Sequence, residues 1–194
     1  MISLVIPAGQ NDQFLPETLS ALVPACARGV IREAIVVGNS DDEQVAHIAD
    51  AAGAIYLEAA GTAAQKLYAA LPRIRRSQWV LVVRPGVIVE PEWDQHACAF
   101  IERAQRVGLH KAPVAAFQLK SEGFTTKHRL QETILLWRHK LTKRAHPNQP
   151  RLFNMQAIEK DNKERTFKLE AKETEKFWLQ KTILLSCQAS AHNF

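Results

Sequence analysis

The sequence predicts an α/β fold in three layers, a mostly parallel sheet flanked by helices, with a helical, charged C-terminal part. Two observations carry this. Short aliphatic runs end in Pro or Gly: Ile2 to Ile6 before Pro7, Glu33 to Val37 before Gly38, and Trp79 to Val83 before Pro85-Gly86. Each reads as a buried strand stopped by a turn. Between them lie segments with apolar residues at helical spacing, and strand–helix alternation at short intervals argues for parallel strands covered on both faces. Ligands of such sheets collect beyond the carboxyl ends of the strands, which directs attention to the turns after Ile6, Val37 and Val83.

Taken in order, Ile2 to Ile6 is the first strand, and a polar loop from Ala8 to Phe14 follows. Leu15, Leu19, Leu22, Val23 and Cys26 recur at helical spacing, with Pro16 near the helix start, where a missing N–H costs least, and Gly29 at its end. Glu33 to Val37 enters Gly38-Asn39-Ser40-Asp41-Asp42, where Ser40 or Asp41 is placed to cap a helix carrying Val45, Ile48, Ala49 and Ala52. Ala54 to Leu57 is a third strand. A loop through Gly61 leads to a helix aligning Leu67, Leu71 and Ile74, and then comes the strand from Trp79 to Val83. A short run, Val87 to Val89, precedes a helix opened by Pro91, with Trp93, Ala97, Phe100, Ile101 and Ala104 on its buried side. Val114 to Leu119 reads as a later strand.

The texture changes after Lys120. Residues 127–144 put Leu130, Ile134, Trp137 and Leu141 on one stripe among six basic residues, a basic amphipathic helix. His146 to Pro150 breaks it. From Glu159 to Lys176 both charge signs alternate, as in an exposed helix, and Phe177 to Leu185 is apolar enough to dock. The expected organisation is therefore 1–119 as one sheet-bearing half and 120–194 as a mainly helical extension.

At 194 residues the chain suits one core. A net charge of +5, with most of the basic excess after Lys120, favours anionic partners: a nucleotide, an acidic lipid surface or nucleic acid. Cys26, Cys98 and Cys187 match neither a metal spacing nor a disulfide framework. The seven histidines form no i,i+4 pair. The N-terminus meets Pro7 too early for a signal peptide, and no apolar run reaches transmembrane length. A cytoplasmic location is expected, with peripheral membrane contact through 127–144 as a further possibility.

Three segments, ISLVIPAGQNDQFLPETLSALVP, REAIVVGNSDDEQVAHIADAAGA and WVLVVRPGVIVEPEW, together resemble the nucleotide-sugar-binding half of family 2 glycosyltransferases, which have the GT-A fold. The resemblance implies a nucleotide diphosphate sugar donor bound by the strand-end loops. It implies roles in binding for Pro7, Asn11 and Asp12 after the first strand, Gly38 and Asp41 after the second, and Arg84 and Gly86 after the fourth. It also implies a divalent metal, but the sequence departs from the family here. Gly38 stands at the acidic position of the second strand end. Gly86 stands where a metal-binding Asp is expected, and hard cations need oxygen ligands. No cofactor is therefore predicted, and no catalytic base is assigned; Glu173 and Glu175 fall in the right part of the chain without matching the family's segment.

Arg84 has a role to fill in this reading: a guanidinium grips phosphate with a two-pronged fork and stays charged. Plainer readings stand beside these. Asp41 and Asp42 suit helix capping, Arg84 suits a surface position after a strand, 127–144 suits a packed helix with a solvated face, and Trp79 and Trp93 suit packing. Two functions are expected in competition. One is transfer of a sugar from a nucleotide diphosphate to an acceptor. The other is a catalytically inactive relative kept as a binding or assembly subunit. Nucleic-acid binding ranks last, and the oligomeric state is not legible.

Overall fold

The computed structural model describes residues 1–9, 12–107, 114–121, 149–155 and 182–191. Strands β1 (Ile2–Pro7), β2 (Ile31–Gly38), β3 (Ile55–Glu58) and β4 (Trp79–Val82) alternate with helices α1 (Leu15–Ala27), α2 (Glu43–Ala51) and α3 (Ala63–Ala70). Strand β5 (Val87–Val89), helix α4 (Trp93–Val107) and strands β6 (Val114–Ser121), β7 (Arg151–Asn154) and β8 (Thr182–Ala191) complete the order. The eight strands form one sheet in the order β3-β2-β1-β4-β7-β6-β8-β5. Strands β1 to β4 are parallel to one another. Strand β7 enters antiparallel between β4 and β6, with Val82 opposite Arg151 and Trp79 opposite Asn154.

Side chains alternate across a strand, so each strand feeds two cores. Leu4, Ile6, Val36, Leu81 and Leu152 pack with Leu15, Leu19 and Leu22 of α1, Val45 and Ala49 of α2, and Trp93, Phe100 and Ile101 of α4. Val5, Ile35, Val37, Val80, Val82 and Phe153 pack on the opposite face with Leu67 and Ala70 of α3 and with Ile74. These are the three layers the sequence predicts. Trp79 and Trp93 are packing residues, in edge-on contact with Phe100 and Phe117 at ring-centroid distances of 5.9 and 6.0 Å.

Several elements differ from the sequence reading. Helix α2 is capped by Asp42 and not by Ser40 or Asp41, and the Asp42 side chain makes no cap bond. Its carboxylate instead reaches back to accept the Asn39 N–H at 3.0 Å, bracing the turn in which the Asp42 N–H donates to the Asn39 carbonyl. Helix α3 stops at Ala70 because Pro72 tightens the next residues into a 3-10 turn, Leu71–Arg73. Its start is a capping box: Thr62 accepts the Gln65 N–H, and the Gln65 side chain accepts the Thr62 N–H. Pro91 stands two residues before α4, not at its first turn. The tail expected to be mainly helical supplies two sheet strands, β7 and β8. The helices expected over 127–144 and 159–176 lie outside the described residues, as do Asn11, Trp137, Glu173 and Glu175.

Candidate functional site

Parallel strands end at one edge, so the loops after β1, β2 and β4 meet. Backbone bonds tie them: Ala8 N–H donates to the Val37 carbonyl at 2.8 Å, and Val83 N–H to the Val5 carbonyl at 3.1 Å. Pro7 is buried at the end of β1. Asp12 opens a 3-10 turn, Asp12–Phe14, that leads directly into α1. Asp41 is exposed at the tip of the β2–α2 turn.

Gly38 and Gly86, the two positions where the acidic residues of the resemblance are absent, each oppose a side chain, the first through an aromatic ring and the second through its backbone conformation. A Cβ on Gly38 would lie 2.8 Å from Tyr56 Cε2 and 3.0 Å from Cζ. The Tyr56 hydroxyl spans the position and donates to the Asn39 carbonyl at 2.7 Å. Gly86 has φ +82°, a conformation that strains any residue with a Cβ, and Phe14 lies 3.6 Å from where that Cβ would be. Its N–H donates to Thr18 Oγ1 at 3.0 Å, and Thr18 in turn donates to the Phe14 carbonyl at 3.2 Å. The first turn of α1 is thus stitched onto the turn after β4.

Three basic side chains, Lys66, Arg84 and Arg151, stand at this edge. Lys66 of α3 is 3% exposed, and its Nζ donates to the Ala8 carbonyl at 2.6 Å. Arg151 is 0% exposed and sits at the start of β7, opposite Val82, so it lies at the carboxyl end of β4. By strand alternation it shares the face of Phe153, which α3 covers further along the sheet. Arg84, half-buried, follows β4 by two residues. Burial pushes the Arg84 guanidinium below its ordinary range. Burial, with the Arg84 charge as a second cause, pushes Arg151 down to about 9. Arg84 and Arg151 are therefore two cations at the same end of β4.

Such a turn does not fit a divalent cation, which requires several oxygen donors. Arg84-Pro85-Gly86 offers no carboxylate and carries one guanidinium, with that of Arg151 at the same strand end. Among the described residues no group of three or more His, Cys, Asp or Glu side chains is placed to hold a metal ion.

Of the residues expected in a site, Pro7, Gly38, Arg84 and Gly86 are brought to one edge and Asp41 stands out from it. Lys66 and Arg151 were not among the expected residues. Lys66 gives only a weak signal, a lysine in an alanine-rich helix whose apolar stripe does not obviously exclude it. Arg151 gives a clearer one in retrospect, since Pro150 precedes it and Leu152-Phe153 follow, a short apolar strand opened by a charge.

The sequence matches no protein-family model and no curated protein. Its structure is similar to solved ones. TarS of S. aureus superposes with a TM-score of 0.62 at 14% identity, covering 99% of this chain and 36% of TarS. Glucosyl-3-phosphoglycerate synthase from Mycobacterium tuberculosis, in complex with phosphoglyceric acid, gives a TM-score of 0.57 at 12% identity, covering 100% of this chain and 72% of the synthase. The same synthase in complex with Mn2+ and uridine-diphosphate-glucose gives 0.56 at 12% identity, covering 100% and 71%. This chain thus spans about a third of TarS and about seven-tenths of the synthase. No helix among the described residues is long and apolar enough to cross a membrane. At these identities the likeness speaks for architecture alone, and the chain has the GT-A-like α/β fold of these glycosyltransferases.

Proposed function

We propose that the chain is a glycosyltransferase-like protein that binds a nucleotide diphosphate sugar at the edge formed by the loops after β1, β2 and β4, within its 1–119 half. The observation that carries this is the placement of Arg84 at that edge, on a fold whose solved neighbours include a synthase holding Mn2+ and uridine-diphosphate-glucose. Binding needs a cation against the diphosphate, because desolvating an unpaired anion is costly. Here the cation is a guanidinium of this chain. If transfer occurs, it proceeds by displacement at the anomeric carbon: the acceptor hydroxyl oxygen bonds to that carbon as the bond to the diphosphate oxygen breaks, and the hydroxyl proton is lost to solvent. Arg84 would then stabilise the charge that builds on the leaving diphosphate.

A second reading is favoured by specific geometry. Tyr56 fills the ground over Gly38, and the left-handed backbone at Gly86 strains any side chain there, at the two positions where acidic side chains of the resemblance would stand. A GT-A-fold relative that has lost catalysis and serves as a binding or assembly subunit accounts for both. Fold alone does not choose between them.

The test is a thermal-shift panel of nucleotide sugars on the full chain, with chelator and with Mn2+, followed by product analysis for any stabilising donor. The proposal expects stabilisation by at least one diphosphate sugar in chelator. Stabilisation without sugar release or transfer to any acceptor selects the inactive reading. No stabilisation by any donor under either condition rejects both forms of nucleotide-sugar binding.

A further inference from the structure

We propose that Arg84 and Arg151 act as one metal-free anion site at the carboxyl end of β4, suited to two linked phosphates. The inference rests on the reading above for the nucleoside part of the ligand, while its anionic part rests on the residues themselves. Arg151 is the floor, with no exposure, and Arg84 the half-buried rim. The cross-strand register places Arg151 beside Val82, and Arg84 follows two residues later in the chain. Both residues also have interactions within the chain. A guanidinium has five N–H donors, so one partner does not exhaust it.

A buried cation and a half-buried one at the same strand end repel, and water screens them only in part. Two linked phosphates bring enough negative charge to meet both guanidiniums, whereas a single phosphodiester brings less. Arg84 is the residue positioned to contact the phosphates. Arg151, buried behind it, is a positioning residue that deepens the local positive field. The turn's misfit for a metal is then explained, since a hard cation at Gly86 would add to two positive charges already there.

Titration calorimetry on the full chain in chelator tests this with uridine diphosphate, inorganic pyrophosphate, inorganic phosphate and uridine as probes. Uridine diphosphate and pyrophosphate are expected to bind, and phosphate at least about tenfold more weakly. Arg84→Ala should weaken uridine diphosphate by about 10- to 100-fold, with Arg84→Lys between it and wild type. Arg151→Gln should cost about tenfold or more, and Arg151→Lys should recover part of that. Uridine affinity should stay unchanged in all four variants, which a general loss of structure would not allow.

Equal uridine diphosphate binding by wild type and Arg84→Ala overturns the inference and leaves the nucleotide reading standing. Pyrophosphate binding as tight as uridine diphosphate supports the pair and removes the nucleotide reading. Parallel loss of uridine and uridine diphosphate affinity in Arg151→Gln overturns the role given to Arg151. If Arg151 variants fail to fold, the Arg84 pair of variants still decides. Pair-dependent binding to phosphatidylglycerol vesicles, with pyrophosphate silent, assigns the site to a lipid headgroup and overturns the two-phosphate proposal.

Discussion

The Tyr56 side chain occupies the space that a side chain on Gly38 would need. Its hydroxyl bonds the Asn39 carbonyl at 2.7 Å, and its ring atoms lie 2.8 and 3.0 Å from an ideal Cβ at Gly38. The contact spans β2 and β3, with Gly38 opposite Glu58 and Val36 opposite Tyr56. Gly38 is therefore a packing requirement of Tyr56. Gly38→Ala should destabilise the fold by about 1–3 kcal/mol, the usual cost of overpacking. In a Tyr56→Leu background the same change should cost less than half as much. Chemical denaturation of the four proteins of this double-mutant cycle measures the coupling, and additive costs would refute it.

Gly86 gives a related prediction. Gly86→Asp restores the acidic residue that the resemblance implies, but in a backbone with φ +82° and against Phe14. It should lower stability by about 1–2 kcal/mol through strain alone. It should also fail to create Mn2+ affinity, because one carboxylate beside Arg84 and Arg151 is far from a metal's donor set. Calorimetry with Mn2+ and a nucleotide diphosphate checks this; saturable micromolar metal binding by the variant would show that the turn accepts a cation.

How much of this could be read from the chain follows from the range of each interaction. The strands β1, β2 and β4 were legible because each is a local run of aliphatic residues with a local stop. Their convergence at one edge was legible because parallel crossovers leave no other arrangement. The insertion of β7 between β4 and β6 was not, since it depends on a pairing across about 70 residues of chain, Val82 with Arg151. The absence of acids at Gly38 and Gly86 was visible, but not what opposes a side chain there: Tyr56 arrives from another strand, and the left-handed backbone at Gly86 is set by the turn. Lys66 was hidden for the same cause, as its partner carbonyl at Ala8 lies 58 residues away.

Lys66 itself is expected to hold the loop after β1. Its buried Nζ bonds the Ala8 carbonyl, the point at which β1 gives way to the loop toward Asp12. Lys66→Met keeps most of the side-chain volume and removes that donor. The expected cost is about 1–3 kcal/mol, the range for a buried acceptor deprived of a charged partner. Urea unfolding at an unchanged m-value would report it as a loss of stability and not as a change in the compactness of either state. Lys66→Arg should recover only part, because a planar fork does not replace a compact ammonium in a closed space.

The last prediction uses the pH dependence of Arg151. In the folded protein burial, and then Arg84, push its guanidinium from its ordinary value down to about 9. Below about pH 9 the group is charged in both the folded and unfolded states, so the cost of burying it is carried in full. Between the two values the folded protein has released the proton while the unfolded chain still holds it. The unfolded state then binds more protons, and stability from this group rises with pH. The sign is opposite to that of a lysine or histidine that gains a carboxylate partner. Arg151→Met removes the titration, so the comparison isolates it from every other group. The stability of wild type relative to Arg151→Met should be constant from about pH 7 to pH 8.5. Above about pH 9 it should climb in favour of wild type, toward a limiting slope of about 1.4 kcal/mol per pH unit. Saturating pyrophosphate should delay the climb to higher pH, because an anion beside Arg151 favours its charged form. Thermal denaturation across this range, with and without pyrophosphate, provides the measurement; a flat difference throughout would mean that Arg151 keeps its proton through other contacts in the fold.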